Sequence, residues 1–368
     1  MKAQIVLLPG DGIGPEVVRV GAAVLQEVAK LWGHQFSFNT QLIGGCALEE
    51  SGEPLPAATL QACRQADAIL LGAVGGPRWD NPRASKRPEQ GLLALRKELG
   101  LFANLRPIQV HPALVRHSPL RADRLYGVDI LMIRELTGGI YFGQRKEEEE
   151  YAEDLCCYSK EEVARLARLA GQLARKRQGR LTSVDKANVL ATSRLWRRVV
   201  SEVVEQESAG VQLEHVLVDS FAMHLIQQPK RYDVVVTENM FGDILSDEAA
   251  MIVGSIGLLP SASLGEGPGL FEPIHGSAPD IAGKNVANPY GTVLSCALLL
   301  RHALQLEEEA RAVEDTVWRA LSEKIWTKDL EQGHPASGSD GSRIHTTEEV
   351  GEAIVKGLPS FCGNLVES

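Results

Sequence analysis

The sequence has no CxxC pair among its six cysteines (46, 63, 156, 157, 296 and 362), no basic surplus, no internal repeat and no long apolar run. Each absence excludes something. An N-terminus that passes from Met1 and Lys2 straight into an apolar strand has no signal-peptide core, and with unpaired thiols this leads to the expectation of a reducing cytoplasm. A formal net charge of -10 and a pI near 5.5 argue against a nucleic-acid backbone or an anionic membrane as partner, leaving open a local basic pocket. The apolar stretch from Thr292 to Leu300 is closed by Arg301 and His302 and falls short of the roughly 20 residues that a spanning helix needs. Nothing in the composition suggests disorder. At 368 residues and 44% hydrophobic content the chain has material for one large core or two smaller ones, and two domains are expected.

What is present alternates. Apolar runs of strand length (IVLLP from 5, AILLGAV from 68, YGVDILMI from 126, RLTSVD from 180, HVLVD from 215, YDVVVT from 232) are separated by segments of helical period, the pattern of an α/β protein. SKEEVARLARLAGQLARKRQG is the clearest helix: Ser159 and Glu162 have capping-box spacing, and Val163, Leu166, Ala170 and Leu173 share a face. Arg175, Lys176 and Arg177 suit its C-terminal end and Gly179 its stop. Glu147 to Glu150 read as a solvated loop or arm, since four adjacent carboxylates cannot converge on one ion. From Gly254 to Pro289 the texture turns Gly/Pro/Ser-rich, and a structureless loop of that length inside a domain is usually functional.

GDGIGPE, with Gly10, Gly12 and Gly14 around Asp11, lies between a strand and a helix opened by Pro15. It fails the Rossmann test. The dinucleotide fingerprint is GxGxxG with an acidic residue closing the next strand about 20 residues on, whereas here the spacing is GxGxG and the next candidate strand, FSFNTQLIGG, ends in glycine.

Charged groups of catalytic type gather elsewhere. LLALRKELGLFANLRP carries Arg96 and Arg106, and IRELTGGIYFG adds Arg134 and Tyr141. Three arginines in glycine- or proline-bounded segments match a substrate with two carboxylates, each gripped bidentately; any one alone reads better as a surface ion pair. YDVVVTENMFGDILSD places Asp243 and Asp247 four apart, on one face of a helix, and HVLVDSFAMHL places Asp219 at a strand end, where an aspartate also serves as a helix cap. Three carboxylates without a His/Cys pattern suit Mg²⁺ or Mn²⁺ rather than zinc. Lys186 in SVDKANVL stands past a strand as either a base or a surface charge.

These segments, in order, with ADAILLGAVGGPRWD and EPIHGSAPDIAGKNVANP, resemble the β-decarboxylating dehydrogenases of 2-hydroxy acids, the isocitrate/isopropylmalate dehydrogenase family. The resemblance implies an α/β, two-domain fold with a large twisted mixed sheet that is not a Rossmann fold. It implies a first domain from residues 1–101 and 254–368 and a second from 102–253. Arg96, Arg106 and Arg134 would hold malate carboxylates, with Glu89, Leu92, Leu93, Val189 and Asp219 around the substrate. Asp219, Asp243 and Asp247 would bind Mg²⁺ or Mn²⁺, with Asp219 and Lys186 supplied across a homodimer. Lys186 would take the hydroxyl proton as hydride passes to NAD⁺, and Tyr141 would protonate the enolate after CO₂ leaves. Ile13, Gly75, Gly76 and Glu89 would line the cofactor side, and the loop holding His275, Gly276, Ser277, Ala278, Asp280 and Asn288 would take the adenosine end.

Within the family, the residues before Arg96 separate substrates. Isocitrate enzymes place a serine and an asparagine there, whereas Leu92 and Leu93 suit the isopropyl group of a leucine-pathway substrate. Sister enzymes acting on isocitrate, homoisocitrate, D-malate or tartrate are the nearest rivals, and a regulatory subunit without catalysis is disfavoured because Lys186, Tyr141 and the three aspartates are all present. Asp280, an acceptor-only group, implies NAD rather than NADP, with Lys284 the one nearby opposing charge. Three departures stand out: a short acidic arm after Gly143, Gly171 inside a helix at a propensity cost of about 1 kcal/mol, and Trp326 where an arginine is more usual.

Overall fold

The computed structural model describes residues 1–79, 85–331 and 343–362. The chain divides into two compact units, the first made of Met1–Leu101, His111–Ser118 and Val253–Ser368, the second of Phe102–Val110 and Pro119–Ile252. This differs from the expected division at residues 111–118 and 253. The His111 ring tilts against Trp318 at 4.6 Å and donates from Nε2 to the Trp318 carbonyl at 3.0 Å, and His117 meets Trp326 edge-on at 4.9 Å. These contacts place the segment with the first unit. They also give Trp326 a reason: it is buried and its indole N–H donates to the Leu321 carbonyl at 3.1 Å.

Twelve strands are described: β1 (Lys2–Gly10), β2 (Gln35–Thr40), β3 (Ala68–Ala73), β4 (Leu101–Gln109), β5 (Asp129–Glu135), β6 (Arg145–Glu147), β7 (Ala152–Asp154), β8 (Arg180–Asp185), β9 (Gln212–Leu217), β10 (Val234–Thr237), β11 (Pro260–Gly265) and β12 (Gly269–Pro273). Ten are strands of a mixed sheet and divide five and five. In the first unit the order is β2-β1-β3-β12-β11, parallel except for the β11–β12 pair. In the second it is β4-β5-β10-β8-β9, with β4 antiparallel to β5 and the rest parallel. β3 is buried at every position, as a parallel strand covered on both faces must be. Val6, Leu8, Ile69, Leu71, Leu95 and Leu270 form part of the first unit's core.

The stretch from Gly254 to Pro289 is not structureless over its length. Its first half forms the β11–β12 hairpin, with Ala262 opposite Phe271 and all but the end of β11 buried. Glycine is needed there because a Cβ on Gly265 would lie 2.0 Å from the Gly100 carbonyl oxygen. The acidic arm is a short antiparallel ribbon, β6–β7, pairing Arg145 with Asp154 and Lys146 with Glu153, all exposed. Among the described residues no helix is long and apolar enough to cross a membrane.

Candidate active site

In the second unit the antiparallel register puts Asn104 opposite Arg134, and Arg106, two residues on from Asn104, falls on the same face. The helix Asn239–Val253 begins two residues after β10, the neighbour of β5, and carries Asp243 and Asp247 one turn apart. The result is a charged cluster. Arg106 donates from Nε to Asn104 Oδ1 at 2.7 Å and from Nη1 to Ser246 Oγ at 2.5 Å and Asp247 Oδ1 at 3.2 Å. Arg134 is paired with Asp243 and donates from Nε and Nη2 to Asn239 Oδ1 at 3.1 and 2.8 Å. Both guanidiniums are largely buried. The Tyr141 hydroxyl donates to Asp243 Oδ2 at 3.0 Å, and the Arg134 guanidinium lies over its ring at 5.7 Å. Burial, then the Asp243 charge, pushes the Tyr141 pKa up, so at neutral pH this hydroxyl keeps its proton and can donate it.

Lys186 and Asp219 lie apart from that cluster. Lys186 follows β8 and Asp219 lies in the first turn of the helix Val218–Gln227; Nζ donates to Oδ1 at 2.8 Å. That hydrogen bond holds the Asp219 carboxyl below its ordinary range. The loop is fixed from behind. Buried Asp185 takes both arms of the Arg197 guanidinium at 2.8 Å and the Ala187 N–H at 2.9 Å, and the Lys186 N–H donates to Ser193 Oγ at 3.0 Å. Val189, expected beside the substrate, is 61% exposed.

The expected metal triad is therefore not assembled within one chain: among the described residues no group of three or more His, Cys, Asp or Glu side chains is placed to hold an ion. Asp243 and Asp247 are engaged by arginines and Asp219 by Lys186. Two carboxylates one turn apart are hard oxygen donors of the right kind for Mg²⁺ or Mn²⁺, and they are two of the three expected.

In the first unit, Arg96 stands in the last turn of the helix Pro88–Glu98. It is ion-paired with Glu272 at 2.7 Å, and its buried Nε has no protein partner among the described residues. Glu89, in the first turn, lies so close to Gly75 (φ +109°) that a Cβ there would be 2.7 Å from Glu89 Oε1. Gly76 accepts the Trp79 N–H at 2.9 Å. Leu92 packs on the core and Leu93 is half-buried, so Leu92 has less side chain to offer a ligand than expected.

The glycines of GDGIGPE serve close packing. Added Cβ atoms would lie 1.9 Å from the Ala73 carbonyl oxygen at Gly10, 1.9 Å from that of Ser277 at Gly12, and 2.0 Å from that of Pro9 at Gly14. The Ile13 N–H donates to the Ser277 carbonyl at 2.8 Å, and Ile13 is buried with Val17 and Ala287. Asp11 ties the loop down by accepting N–H groups of Gly45, Cys46 and Gly75 at 2.7, 2.8 and 2.9 Å. The loop thus supports the segment from His275 to Asn288. There Ala278 has φ +39°, Gly276 and Asp280 are exposed, Ser277 is buried, and Asn288 bonds Asp329 and the Tyr290 N–H. His275 donates from Nδ1 to the Gly276 carbonyl at 2.9 Å, burial holds its pKa down, and the neutral ring's buried Nε2 is an unspent acceptor among the described residues. An unspent imidazole acceptor and an exposed carboxylate suit the hydroxyls and amine of a nucleoside.

Four residues with roles here were not singled out from sequence: Asp11, Glu135, Tyr158 and Asn239. Glu135 is fully buried and accepts the N–H of Thr137 at 2.9 Å and of Gly138 at 2.7 Å, which shapes the turn before Tyr141; burial pushes its pKa up. Tyr158 packs on that turn and bonds Glu238 at 3.2 Å.

Residues 4–354 match the family described as isocitrate/isopropylmalate dehydrogenase. A 3-isopropylmalate dehydrogenase of Rhodopirellula baltica is 58% identical over 365 residues, covering 98% of this chain and 100% of the relative. One of Bacillus subtilis is 53% identical over 362 residues, covering 96% and 98%. Among solved structures, isocitrate dehydrogenase from Methylococcus capsulatus aligns with a TM-score of 0.83 at 33% identity, covering 97% of this chain and 99% of that one. A β-decarboxylating dehydrogenase of Thermococcus kodakarensis, in its apo form, aligns at 0.78 and 37%, covering 97% and 96%. The chain belongs to the isocitrate/isopropylmalate dehydrogenase family and is an oxidoreductase.

Proposed function

We propose that this protein oxidatively decarboxylates 3-isopropylmalate to 4-methyl-2-oxopentanoate and CO₂ with NAD⁺ as acceptor, a step of leucine biosynthesis. The observation that carries it is the convergence of Arg106, Arg134 and the protonated Tyr141 hydroxyl on Asp243, in a chain more than half identical to enzymes of that name along nearly its whole length. NAD⁺ supplies the hydride acceptor and Mg²⁺ or Mn²⁺ a Lewis acid for the developing 2-keto oxygen. Arg106 and Arg134, with Arg96, bind the two carboxylates and hold the bond between C3 and its carboxylate for cleavage. Lys186 takes the hydroxyl proton, directly or through water, and Tyr141 gives a proton to C3 of the enolate. Asp243 and Asp247 hold the cation, joined by the Asp219 of a second subunit. The segment from His275 to Asn288 holds the adenosine end, where Asp280 disfavours NADP: two unit charges about 4 Å apart at an effective dielectric of about 20 repel by roughly 4 kcal/mol. The free thiols of Cys46, Cys63, Cys156, Cys157 and Cys296 fit a cytoplasmic enzyme.

The test is NADH or NADPH formation with Mn²⁺ from 3-isopropylmalate, isocitrate, D-malate and tartrate. The expected result is a kcat/KM for isopropylmalate at least about ten-fold above the others, the scale set by burying an isopropyl group, and NAD⁺ preferred over NADP⁺. A preference for isocitrate or malate overturns the assignment.

A further inference from the structure

Asn239 opens the helix that carries Asp243, is 1% exposed and is bonded through both ends of its amide. Oδ1 accepts from Nε and Nη2 of Arg134 at 3.1 and 2.8 Å, while Nδ2 donates to the Gly138 carbonyl at 3.1 Å. Its backbone N–H donates to the Tyr158 hydroxyl at 3.0 Å. Gly138 precedes the short 3₁₀ turn Gly139–Tyr141, and that turn is pressed against Tyr158: a Cβ on Gly139 would lie 2.4 Å from the Tyr158 hydroxyl oxygen. One amide therefore grips two things at once. Its oxygen fixes the rotation of the Arg134 guanidinium about its long stem, and its nitrogen fixes the turn that aims Tyr141. An amide is suited to this because it offers an acceptor and a donor on one rigid plane.

We propose that Asn239 is a positioning residue that couples substrate-carboxylate binding by Arg134 to proton delivery by Tyr141. The inference rests on the function proposed above. It requires the two halves of the amide to be separable. Asn239→Ala removes both. Asn239→Asp keeps an oxygen for Arg134 and replaces the donor to Gly138 with a second acceptor, which faces the carbonyl without a proton to share.

The experiment uses the assembled enzyme with Mn²⁺ and reads three quantities: KM for 3-isopropylmalate, KM for NAD⁺, and deuterium exchange into C3 of 4-methyl-2-oxopentanoate, which follows the Tyr141 step without hydride transfer. In Asn239→Ala the hydroxy-acid KM should rise by roughly ten-fold or more and exchange should slow by a similar factor, with KM for NAD⁺ unchanged, as expected for losing hydrogen bonds to a charged group. In Asn239→Asp the KM should stay within about three-fold of wild type while exchange slows about ten-fold. If Asn239→Ala fails to fold, the split in Asn239→Asp decides alone. Equal exchange in wild type and Asn239→Asp, or a parallel rise of both KM values in Asn239→Ala, overturns the coupling. Wild-type enzyme inactive on isopropylmalate overturns the functional reading instead.

Discussion

Gly12 shows how much a single backbone position carries. Its φ of +58° is a conformation that costs an L side chain about 1–2 kcal/mol, and its Cα faces the Ser277 carbonyl with no room for a methyl group. Gly12→Ala should destabilise the protein by at least about 2 kcal/mol. It should also raise KM for NAD⁺ more than KM for the hydroxy acid, because the carbonyl it displaces belongs to the segment from His275 to Asn288. Thermal unfolding and the two KM values check this; equal changes in both would mean that the loop does not support the cofactor segment. The glycine spacing was legible, but the reason for it was not: it lies in carbonyls of Ala73 and Ser277, distant in sequence. The same holds for the rest of the site. Arg106, Arg134, Tyr141 and Asp243 stood out because charged groups in glycine-bounded segments are unusual. Asn239, Glu135 and Tyr158 act through neighbours brought in by the fold, and Asp11, though conspicuous among glycines, binds only backbone N–H groups.

At the scale of elements, the helix Lys160–Arg175 starts as its sequence predicts. Ser159 Oγ accepts the Glu162 N–H at 3.2 Å and Glu162 Oε2 accepts the Ser159 N–H at 2.7 Å. Ser159→Ala removes one half of this box and should cost about 1 kcal/mol, read as a fall in Tm with kcat/KM unchanged; a fall in kcat/KM without loss of stability would move Ser159 from capping to the neighbouring Tyr158 turn. Gly171, a poor residue for the same helix, has a reason that propensity cannot show: a Cβ there would lie 2.1 Å from Ser208 Oγ. Parallel strands such as β3 and β10 were legible as short continuous apolar runs. β11 and β12 were not, because their Pro, Ser and Gly content reads as a loop and their burial comes from neighbouring strands. β4 was hidden for a related reason: Pro107 and the polar residues Asn104 and Arg106 interrupt its apolar pattern.

At the scale of the whole molecule, the separation of Asp219 from Asp243 and Asp247, the three aspartates proposed for the cation, is what needs explaining. One chain offers Asp243 and Asp247 with the arginines and Tyr141, and offers Lys186 with Asp219 as a separate pair. The elements around that pair are unusually apolar outside: Val189 is 61% exposed, Met223 62% and Ile226 46%, where a lone soluble surface would favour polar groups. The dimer proposed above would account for both, each chain lending Lys186 and Asp219 to the other's arginine cluster while burying those side chains. The prediction discriminates between sharing and mere pairing. Lys186→Met and Arg106→Ala should each be inactive alone. Mixed in equal amounts and allowed to exchange chains, half the dimers become heterodimers, and in each of these one of the two sites receives an intact Arg106 from one chain and an intact Lys186 from the other. Activity should return to about one quarter of wild type per chain. If heterodimers form, as shown by mass spectrometry of differently tagged chains, and activity does not return, Lys186 serves its own chain, and the separation of Asp219 from Asp243 needs movement within one subunit to close it.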